Sequence, residues 1–230
     1  MEQIKKNIKD TFSALTFKEF GHKYYIEDKP LDKSVSTLIK DFCLPFNEDE
    51  KSAFMARRDG TNQQDLLDAW HEKRDRRIAI GKQSHLFGEL YPFNPGLRPQ
   101  SQYELAIMKF WNSLPDFVVP VLVEQPMYHK TLLYAGTPDG ILLNTQTGKL
   151  IIIDYKTNED LFKNFAGQKL LGDFSYLLDT PYNKYQIQLS YYKILLEQSG
   201  YEVSTTKIIW IKEDGTFTVY DTDDLTQYLK

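Results

Sequence analysis

The chain has 230 residues, of which 41% are apolar and 14% aromatic, and its 28 Lys and Arg against 32 Asp and Glu leave a formal net charge of −4. This length corresponds to one or two average domains, and the apolar fraction is sufficient for a buried core, so disordered and fibrous classes are excluded. The acidic balance also excludes a protein that coats nucleic acid through overall positive charge, because that class is strongly basic.

Neither a disulfide framework nor a membrane span is expected. Cys43 is the only cysteine, so the chain can form no internal disulfide, which fits a reducing compartment. The longest stretch without Asp, Glu, Lys or Arg, 140–148, is too short to cross a bilayer. Residues 1–12 mix acidic and basic side chains and do not resemble a targeting signal, so a cytoplasmic protein without a membrane partner is expected.

The first quarter of the chain predicts a hairpin followed by a helix. An aromatic strand that begins at His22 leads into a polar turn, and a short helix is expected at 34–39. We assign residues 1–60 to an amino-terminal extension with a hairpin and helices, and residues 61–230 to the core of a single domain that covers 1–230.

Two helices are expected next. Asn47 and Glu50 have the spacing of a capping box, which predicts a helix towards Arg58. Apolar residues at helical spacing predict a long helix over 64–90, which Gly81 is expected to bend or divide. A further helix is expected after Ser101, which has Glu at the third following position.

The centre of the chain changes from a helical to an alternating pattern. Val119, Val121 and Val123 are expected to share one face of a strand, and a second strand is expected after a turn near His129. A tight hairpin follows, with its turn at 144–148. Together these segments predict a three-stranded antiparallel meander.

The last part of the chain predicts a helix between strands. Thr180 is a good N-cap for a helix that runs to about Gln198. Strands are expected at 206–211 and 216–220, and a final helical turn at 221–230. The expected fold class is therefore α/β (α+β), with a mixed central sheet flanked by helices and an amino-terminal helical extension.

Three charged residues are expected at one end of the meander. Asp154 and Lys156 are two apart on a strand and point to the same face, and hairpin register can place Asp139 beside Asp154. Two carboxylates 4 Å apart repel each other by about 4 kcal/mol at an effective dielectric near 20. A divalent cation would reverse this repulsion. Oxygen ligands suit Mg²⁺ or Mn²⁺, and a nearby lysine can orient or deprotonate a water and stabilise charge on a phosphate.

Each feature alone also has a structural interpretation. An Asp at a turn is common, and an Asp-x-Lys pair on a strand usually faces solvent. Asp154, however, directly follows the apolar run 150–153, which is typical of a strand buried on both faces. This context predicts a charge at the end of a core strand, where it needs a functional reason.

The order of four short motifs resembles the PD-(D/E)xK nuclease superfamily, and within it the RecB-like branch that includes phage exonucleases and the mitochondrial genome maintenance exonuclease. In chain order the motifs are Gly81-x-x-x-His85, Pro138-Asp139, Asp154-Tyr-Lys156 and Gln188-x-x-x-Tyr192. With the hairpin at 22–39, the resemblance covers most of the chain. Each motif is short, and their joint order carries the specificity.

The resemblance implies a restriction-endonuclease-like core and metal-dependent hydrolysis of DNA, most closely by an exonuclease acting on DNA ends or single strands. It implies that His85, Asp139 and Asp154 bind one or two Mg²⁺ or Mn²⁺ ions, helped by the carbonyl of Tyr155. Lys156 would position or activate the attacking water.

Further residues are candidates for the same site. Gln188 and Tyr192 are one helical turn apart, and Gln188 is expected to find a partner near Lys156 or the substrate, whereas core packing explains Tyr192 equally well. Glu89 follows His85 by one turn. Whether it or Glu124 joins the site is left open.

A basic run before His85 is the candidate DNA surface. The residues expected to contact phosphates are Lys73, Arg74, Arg76, Arg77 and Lys82, with Arg57 and Arg58 as an extension. The alternative is a solvated helix whose cations pair with Glu72 and Asp75. Phe174 and Tyr176 are expected either to stack on unpaired bases or to anchor their loop.

Two other functions stay open at this point. One is a DNA-binding module that keeps the fold without turnover, and the other is a site-specific endonuclease, which would cleave circles that have no ends. The expected partner is DNA, and a recombination or replication protein is left open as a second partner.

Overall fold

The computed structural model describes residues 1–18, 21 and 23–229. This part of the chain forms six α-helices: α1 (Glu2–Thr11), α2 (Val35–Lys40), α3 (Glu48–Asp59), α4 (Gln63–Leu90), α5 (Gln102–Asn112) and α6 (Pro181–Glu197). Its strands are β1 (Leu15–Lys18), β2 (Lys23–Ile26), β3 (Lys29–Pro30), β4 (Lys33–Ser34), β5 (Val118–Val123), β6 (Met127–Tyr128), β7 (Tyr134–Gly136), β8 (Gly140–Asn144), β9 (Lys149–Lys156), β10 (Val203–Ile211) and β11 (Phe217–Asp221). The protein has the mixed α+β architecture expected from its sequence.

Helices begin where the sequence contains capping side chains. Asn47, Ser101 and Thr180 each accept a hydrogen bond from the backbone N–H three residues later. Such a cap typically contributes about 1 kcal/mol, because it satisfies a donor that the first turn leaves unpaired. Within the described residues, none of the helices combines the length and apolarity that crossing a bilayer requires.

The central sheet has five strands in the order β11-β10-β9-β8-β5. Strands β5, β8 and β9 form the predicted antiparallel meander. Strand β10 pairs with β9 in parallel and with β11 in antiparallel orientation. A parallel pair needs a long crossover, and the segment that carries α6 provides it.

Strand β9 lies at the centre of this sheet and is buried on both faces. Leu150 and Ile152 belong to the core on the α6 side, whereas Ile151, Ile153 and Tyr155 pack with α4 and α5. This two-sided burial explains the uninterrupted apolar run in the sequence. Asp154 and Lys156 alternate with Tyr155 and so lie on the α6 side.

Two small sheets accompany the central one. Strands β2 and β3 form the predicted hairpin, whose turn residues Glu27 and Asp28 both have positive φ, as a two-residue hairpin turn requires. His22 lies outside the described residues. The strand expected after His129 is β7, and it pairs with β6 and β4 rather than joining the central sheet.

Residues 1–60, assigned to an extension, also supply core side chains. Ile8, Phe12 and Val35 are buried in the same cluster as the apolar face of α6. Truncating a side chain of this kind to alanine typically costs 2–5 kcal/mol. The amino-terminal segment therefore contributes to the stability of the central fold.

Two local expectations need correction. Helix α4 is not divided at Gly81 but runs continuously from Gln63 to Leu90, because the packing of its carboxyl-terminal half outweighs the cost of about 1 kcal/mol for one helical glycine. The alternation of Val119, Val121 and Val123 fails at a bulge between Pro120 and Leu122, and Val121 and Leu122 are both buried. Proline cannot donate to the strand ladder, and such positions favour bulges.

The chain end partly follows the prediction. A single 3₁₀ turn forms at Thr226–Tyr228, and Lys230 lies outside the described residues.

Candidate active site

Strand register brings three carboxylates to one end of the meander. Gly140 pairs with Val123 on one side and with Ile153 on the other. The residue before Gly140 is Asp139, so it lies between Glu124 and Asp154, the residues that follow those partners. The backbone N–H of Glu124 donates to the carbonyl of Asp139 over 3.2 Å.

Asp139 is a buried carboxylate with two hydrogen-bonding partners. Its Oδ2 accepts from the backbone N–H of Tyr155 at 2.5 Å, and its Oδ1 lies 2.8 Å from His85 Nδ1. Burial by itself would raise the pKa of Asp139, but the His85 charge, the His85 hydrogen bond and Lys156 together hold it below the usual value. Asp139 is therefore ionised at neutral pH.

His85 reaches the sheet from α4 because the helix approaches Tyr155 closely. Gly88 permits this approach, since a Cβ at that position would overlap the ring of Tyr155. The His85 ring lies edge-on to the same ring, with centroids 6.0 Å apart. The Asp139 charge raises the pKa of His85 to about 10, against the opposing effect of burial.

Glu124 is part of this group. Its Oε1 lies 3.9 Å from His85 Nδ1, and burial and the nearby Asp139 raise its pKa to about 7. Its backbone has φ of +45°, a left-handed conformation that costs a non-glycine residue about 1 kcal/mol or more and is often found at functional sites.

Asp154 and Lys156 form the other half of the group on the α6 side of β9. Lys156 Nζ forms an ion pair with the buried Asp154 Oδ2, and Lys156 is the partner of this oxygen within the described chain. Burial and the Asp139 charge raise the pKa of Asp154 to about 6. Burial opposes the charge on Lys156, but Asp154 outweighs it and the pKa of Lys156 is raised.

Helix α6 lines the same region with aromatic side chains. Lys156 Nζ lies over the ring of Tyr185 at 4.3 Å from its centroid, a cation–π contact. Gln188 Nε2 donates to Tyr192 Oη at 2.7 Å, so its partner within the described chain is the tyrosine one turn along the same helix, and its contact with substrate stays a prediction. Tyr192 is 4% exposed and packs in the core, as its alternative interpretation proposed. Its hydroxyl still lies close enough to Asp154 for that charge, after burial, to raise the pKa of Tyr192.

We call His85, Glu124, Asp139, Asp154 and Lys156 the charged cluster. Within it, His85, Glu124 and Asp139 offer ligand atoms that all lie within 4.8 Å of one another. Burial and the neighbouring Asp139 charge raise the pKa of both Glu124 and Asp154, as expected of crowded carboxylates, and a divalent cation would relieve this repulsion. Several oxygen donors with one imidazole fit a hard divalent cation such as Mg²⁺ or Mn²⁺.

The other predicted ligands lie nearby with different contacts. The side chain of Tyr155 points to the opposite face of the sheet, where its Oη accepts from Trp111 Nε1 at 2.7 Å. Its carbonyl as a metal ligand stays a prediction. Glu89 is partly buried and does not belong to the group of possible metal ligands found in the described chain.

The basic run of α4 lies mostly in solvent. Lys73 and Arg77 both pair with Glu159, and Arg74 pairs with its neighbour Asp75. Arg77 also donates to Tyr103 Oη and to the Thr157 carbonyl. The ion pairs of the alternative interpretation are therefore present, with Asp75 as the partner of Arg74 and with Glu159 rather than Glu72 as the partner of the other two cations, and contact of these side chains with DNA stays a prediction.

The remaining basic side chains differ in their surroundings. Arg76, Lys82 and Arg57 are exposed, and Arg58 pairs with its neighbour Asp59. These positions are accessible to a polyanion, and their role in DNA binding stays a prediction.

Phe174 follows the second of its two interpretations and anchors its loop. Phe174 is fully buried and packs edge-on against Phe42, with ring centroids 4.8 Å apart. Its loop folds back over α2, which sequence patterns do not reveal. Tyr176 is 51% exposed and packs beside Tyr228.

Sequence reasoning missed several residues that organise the site. Tyr24 from the amino-terminal hairpin shares a hydrogen bond of 2.9 Å with Thr137, two residues before Asp139. Gly88 also escaped notice, although it lies three residues after His85 in α4, and the pattern of α6 predicts only core packing for Tyr185, three residues before Gln188, rather than its contact with Lys156. The sequence signal that could have identified Gly88 and Tyr185 is their position on the same helix as a motif, about one turn from His85 and Gln188 respectively.

No family model matches the chain, and no curated protein matches it.

Proposed function

We propose that the chain is a metal-dependent deoxyribonuclease that hydrolyses phosphodiester bonds, acting as an exonuclease on DNA ends or single-stranded DNA. The observation that carries this proposal is the charged cluster. Two buried carboxylates at the ends of neighbouring strands meet a half-buried histidine and a largely buried lysine, an arrangement that costs stability and is typical of functional sites.

His85, Glu124 and Asp139 are the residues that would hold a divalent cation, with Asp154 beside them. When bound, such an ion lowers the pKa of a coordinated water and stabilises charge on a phosphate oxygen. Asp139 orients the His85 ring, because its Oδ1 lies 2.8 Å from Nδ1. The backbone N–H of Tyr155 fixes the other oxygen of Asp139.

Lys156 supplies a fixed positive charge next to these carboxylates. Its ammonium is held between Asp154 and the ring of Tyr185, so it can donate a hydrogen bond to a phosphate oxygen or to the attacking water. The pair with Asp154 favours the protonated form, which supports charge stabilisation and positioning rather than proton abstraction.

The preference for DNA ends or single strands, as opposed to internal sites, rests on the resemblance to the RecB-like branch. The order of the four motifs supports the reaction class, and fold-level resemblance alone does not determine a substrate. Cleavage of linear DNA compared with circular DNA therefore distinguishes an exonuclease from an endonuclease.

A cleavage assay tests the proposal. The full chain is incubated with end-labelled linear single- and double-stranded DNA and with circles, in Mg²⁺, in Mn²⁺ and in EDTA. Metal-dependent release of short products from linear DNA, with circles intact, is the expected result. Cleavage of circles would identify an endonuclease, whereas DNA binding without metal-dependent cleavage would contradict the proposal and identify a non-catalytic module.

A further inference from the structure

A cleft of about 1010 Å³ opens next to the charged cluster rather than at it. Thr157, the residue that follows Lys156, lines one part of this cleft. The rest of the loop after β9, the segment between α2 and α3, and the start of α6 also line it. His85, Glu124 and Asp139 do not line it. The cleft is therefore a separate surface that meets the charged cluster at the end of β9.

Direct contacts connect this cleft to the charged cluster. The ring of Tyr185 lies under the ammonium of Lys156, and its Oη donates to Asn158 Oδ1 at 2.8 Å. Asn158 lines the cleft, and its carbonyl accepts from Trp210 Nε1 at 2.8 Å. A ligand at this end of the cleft would lie beside the side chains that position Lys156.

The lining of the cleft is locally basic in a chain of net charge −4. Its basic residues are Lys51, Lys73, Arg77, Lys163 and Lys184, and its acidic residues are Glu159, Asp160 and Asp179. Glu159 and Asp179 neutralise part of this charge through ion pairs. Lys51 and Lys163 have no ion pair with any described residue, and so remain available to a polyanion.

Two aromatic rings at the cleft are unusually exposed. Phe46 is 69% exposed and Phe165 is 67% exposed, and both line the cleft. Apolar rings of this size normally bury most of their surface. Their exposure next to free lysines is typical of a surface that stacks bases while cations contact the phosphates.

The backbone around Phe165 holds its ring at the surface. Gln168 N donates to the Phe165 carbonyl at 3.0 Å across a turn in which Ala166 and Gly167 have φ of +55° and +72°. Asn164 Nδ2 ties this turn to the carbonyls of Gln168 and Asp179. The left-handed Ala166 costs about 1–2 kcal/mol, so the turn is maintained against its local preference.

We propose that this cleft binds a single-stranded segment of DNA, with bases stacked on Phe46 and Phe165 and phosphates at Lys51 and Lys163. This inference rests on the proposed function for the class of ligand and specifies its substrate as unpaired DNA. Inside a duplex each base face is covered by its neighbours, so two separate rings can stack on bases of one strand only where that strand is unpaired. The strand would enter the charged cluster past Thr157 and Asn158.

Fluorescence anisotropy of labelled oligo(dT), measured with the full chain in EDTA at several salt concentrations, tests binding apart from cleavage. The Phe46→Ala/Phe165→Ala variant should bind about 100-fold more weakly, or about tenfold for each stacked base, with an unchanged salt slope. The Lys51→Gln/Lys163→Gln variant should lower the slope of log affinity against log salt by about 0.7 for each lysine.

Matched controls are available on other surfaces. Phe54→Ala removes an aromatic ring that is 58% exposed on α3 outside the cleft, and Lys6→Gln/Lys29→Gln removes two exposed lysines elsewhere. Wild-type affinity and slope in both controls support the proposal. Equal losses in the controls, unaltered binding in the cleft variants, or equal affinity for a hairpin duplex would overturn it.

The cleft and the proposed function can fail separately. If the wild-type chain shows metal-dependent cleavage but the cleft variants bind DNA normally, only the proposal that the cleft binds DNA is contradicted. If the cleft variants lose oligo(dT) binding but the wild-type chain does not cleave DNA, the DNA-binding role of the cleft is supported and the proposed nuclease activity is contradicted.

Discussion

The two halves of α4 carry charged side chains in opposite environments. The amino-terminal half exposes Lys73, Arg74 and Arg76 to solvent, where the first two make surface ion pairs. The carboxyl-terminal half packs on the sheet through Gly88 and presents His85 to the buried Asp139. One helix therefore contains both a solvated charged surface and part of the charged cluster.

The difference shows where a charge can be explained by stability and where it cannot. An exposed ion pair contributes about 0–1 kcal/mol and is screened by salt. Buried charges lose much more hydration, and their mutual attraction often does not restore it. Solubility or weak binding can therefore explain the charges of the exposed half. Stability does not explain the charged cluster, which indicates a functional role.

The largest expected effect is on the charged cluster itself. Asp154→Asn keeps the side-chain size but removes a formal charge, which weakens a site for a hard cation. We expect cleavage to fall by at least about 1000-fold, since several kcal/mol of charge stabilisation are lost, while circular dichroism shows an intact fold. Asp116→Asn, which removes the same charge from an exposed position, should retain full activity. Full activity in a folded Asp154→Asn protein would contradict the metal site.

Lys156→Ala should have the next largest effect. Loss of one preorganised cation at a reacting phosphate typically lowers turnover by about 100- to 1000-fold. Metal affinity measured by calorimetry should change little, because the ammonium would act on the water and the phosphate rather than on the cation. Lys149→Ala, at the partly exposed beginning of the same strand, removes an ion pair with Glu202 and is the control. A loss of metal affinity as large as the loss of rate would show that Lys156 serves the metal site instead.

The metal-free protein should lose stability as pH rises. The folded-state pKa values of Asp154 and Glu124 are raised to about 6 and about 7, so their protonated forms favour the folded state and this contribution is lost between about pH 4 and pH 7. The pKa of His85 is raised to about 10, so its contribution is complete below about pH 6.5 and declines up to pH 10.

Scanning calorimetry in EDTA checks this pH dependence. The melting temperature should fall by roughly 5 °C between pH 5 and pH 8. Glu124→Gln should flatten this decrease in melting temperature. Glu159→Gln should leave the decrease unchanged, because Glu159 is an exposed carboxylate that pairs with Lys73 and Arg77. A melting temperature that rises over this interval would contradict the electrostatic description of the charged cluster.

The smallest expected effect concerns the exposed half of α4. If Arg74 and Arg76 contact single-strand phosphates, replacing both with alanine should lower the slope of log affinity against log salt by about 0.7 for each contact. Stability should change by less than about 1 kcal/mol, because both side chains are solvated. Oligo(dT) titrations in Ca²⁺ measure the slope. An unaltered slope would assign these arginines to solubility and leave the cleft as the path of the strand.

Arg77 should behave differently from these two neighbours. It joins α4 to Tyr103 and to the end of β9 through Thr157, so the effect of its removal on stability has to be separated from any effect on DNA binding. Measuring both stability and DNA binding for Arg77→Ala, and comparing them with the values for Arg74→Ala/Arg76→Ala, separates the two effects.

Local sequence signals were sufficient for most of the elements and for part of the charged cluster, but they did not predict α1 or β1. Side-chain alternation put Asp154 and Lys156 on one face, and the hairpin turn placed Asp139 beside Asp154. Capping side chains located the helix starts at Asn47 and Thr180. These features depend on residues close together in the chain, which is why periodicity and spacing predict them.

Tertiary structure alone decided which distant residues meet. Glu124 joins His85 because a bulge and strand register bring them together, and Glu159 becomes the partner of Lys73 from 86 residues away. The burial of Phe174 and the exposure of Phe165 likewise depend on how their loop folds back over α2. The sequence determined the local geometry because the backbone period and the caps act over a few residues. Burial and long-range charge pairing depend on how the elements pack, which no local pattern contains.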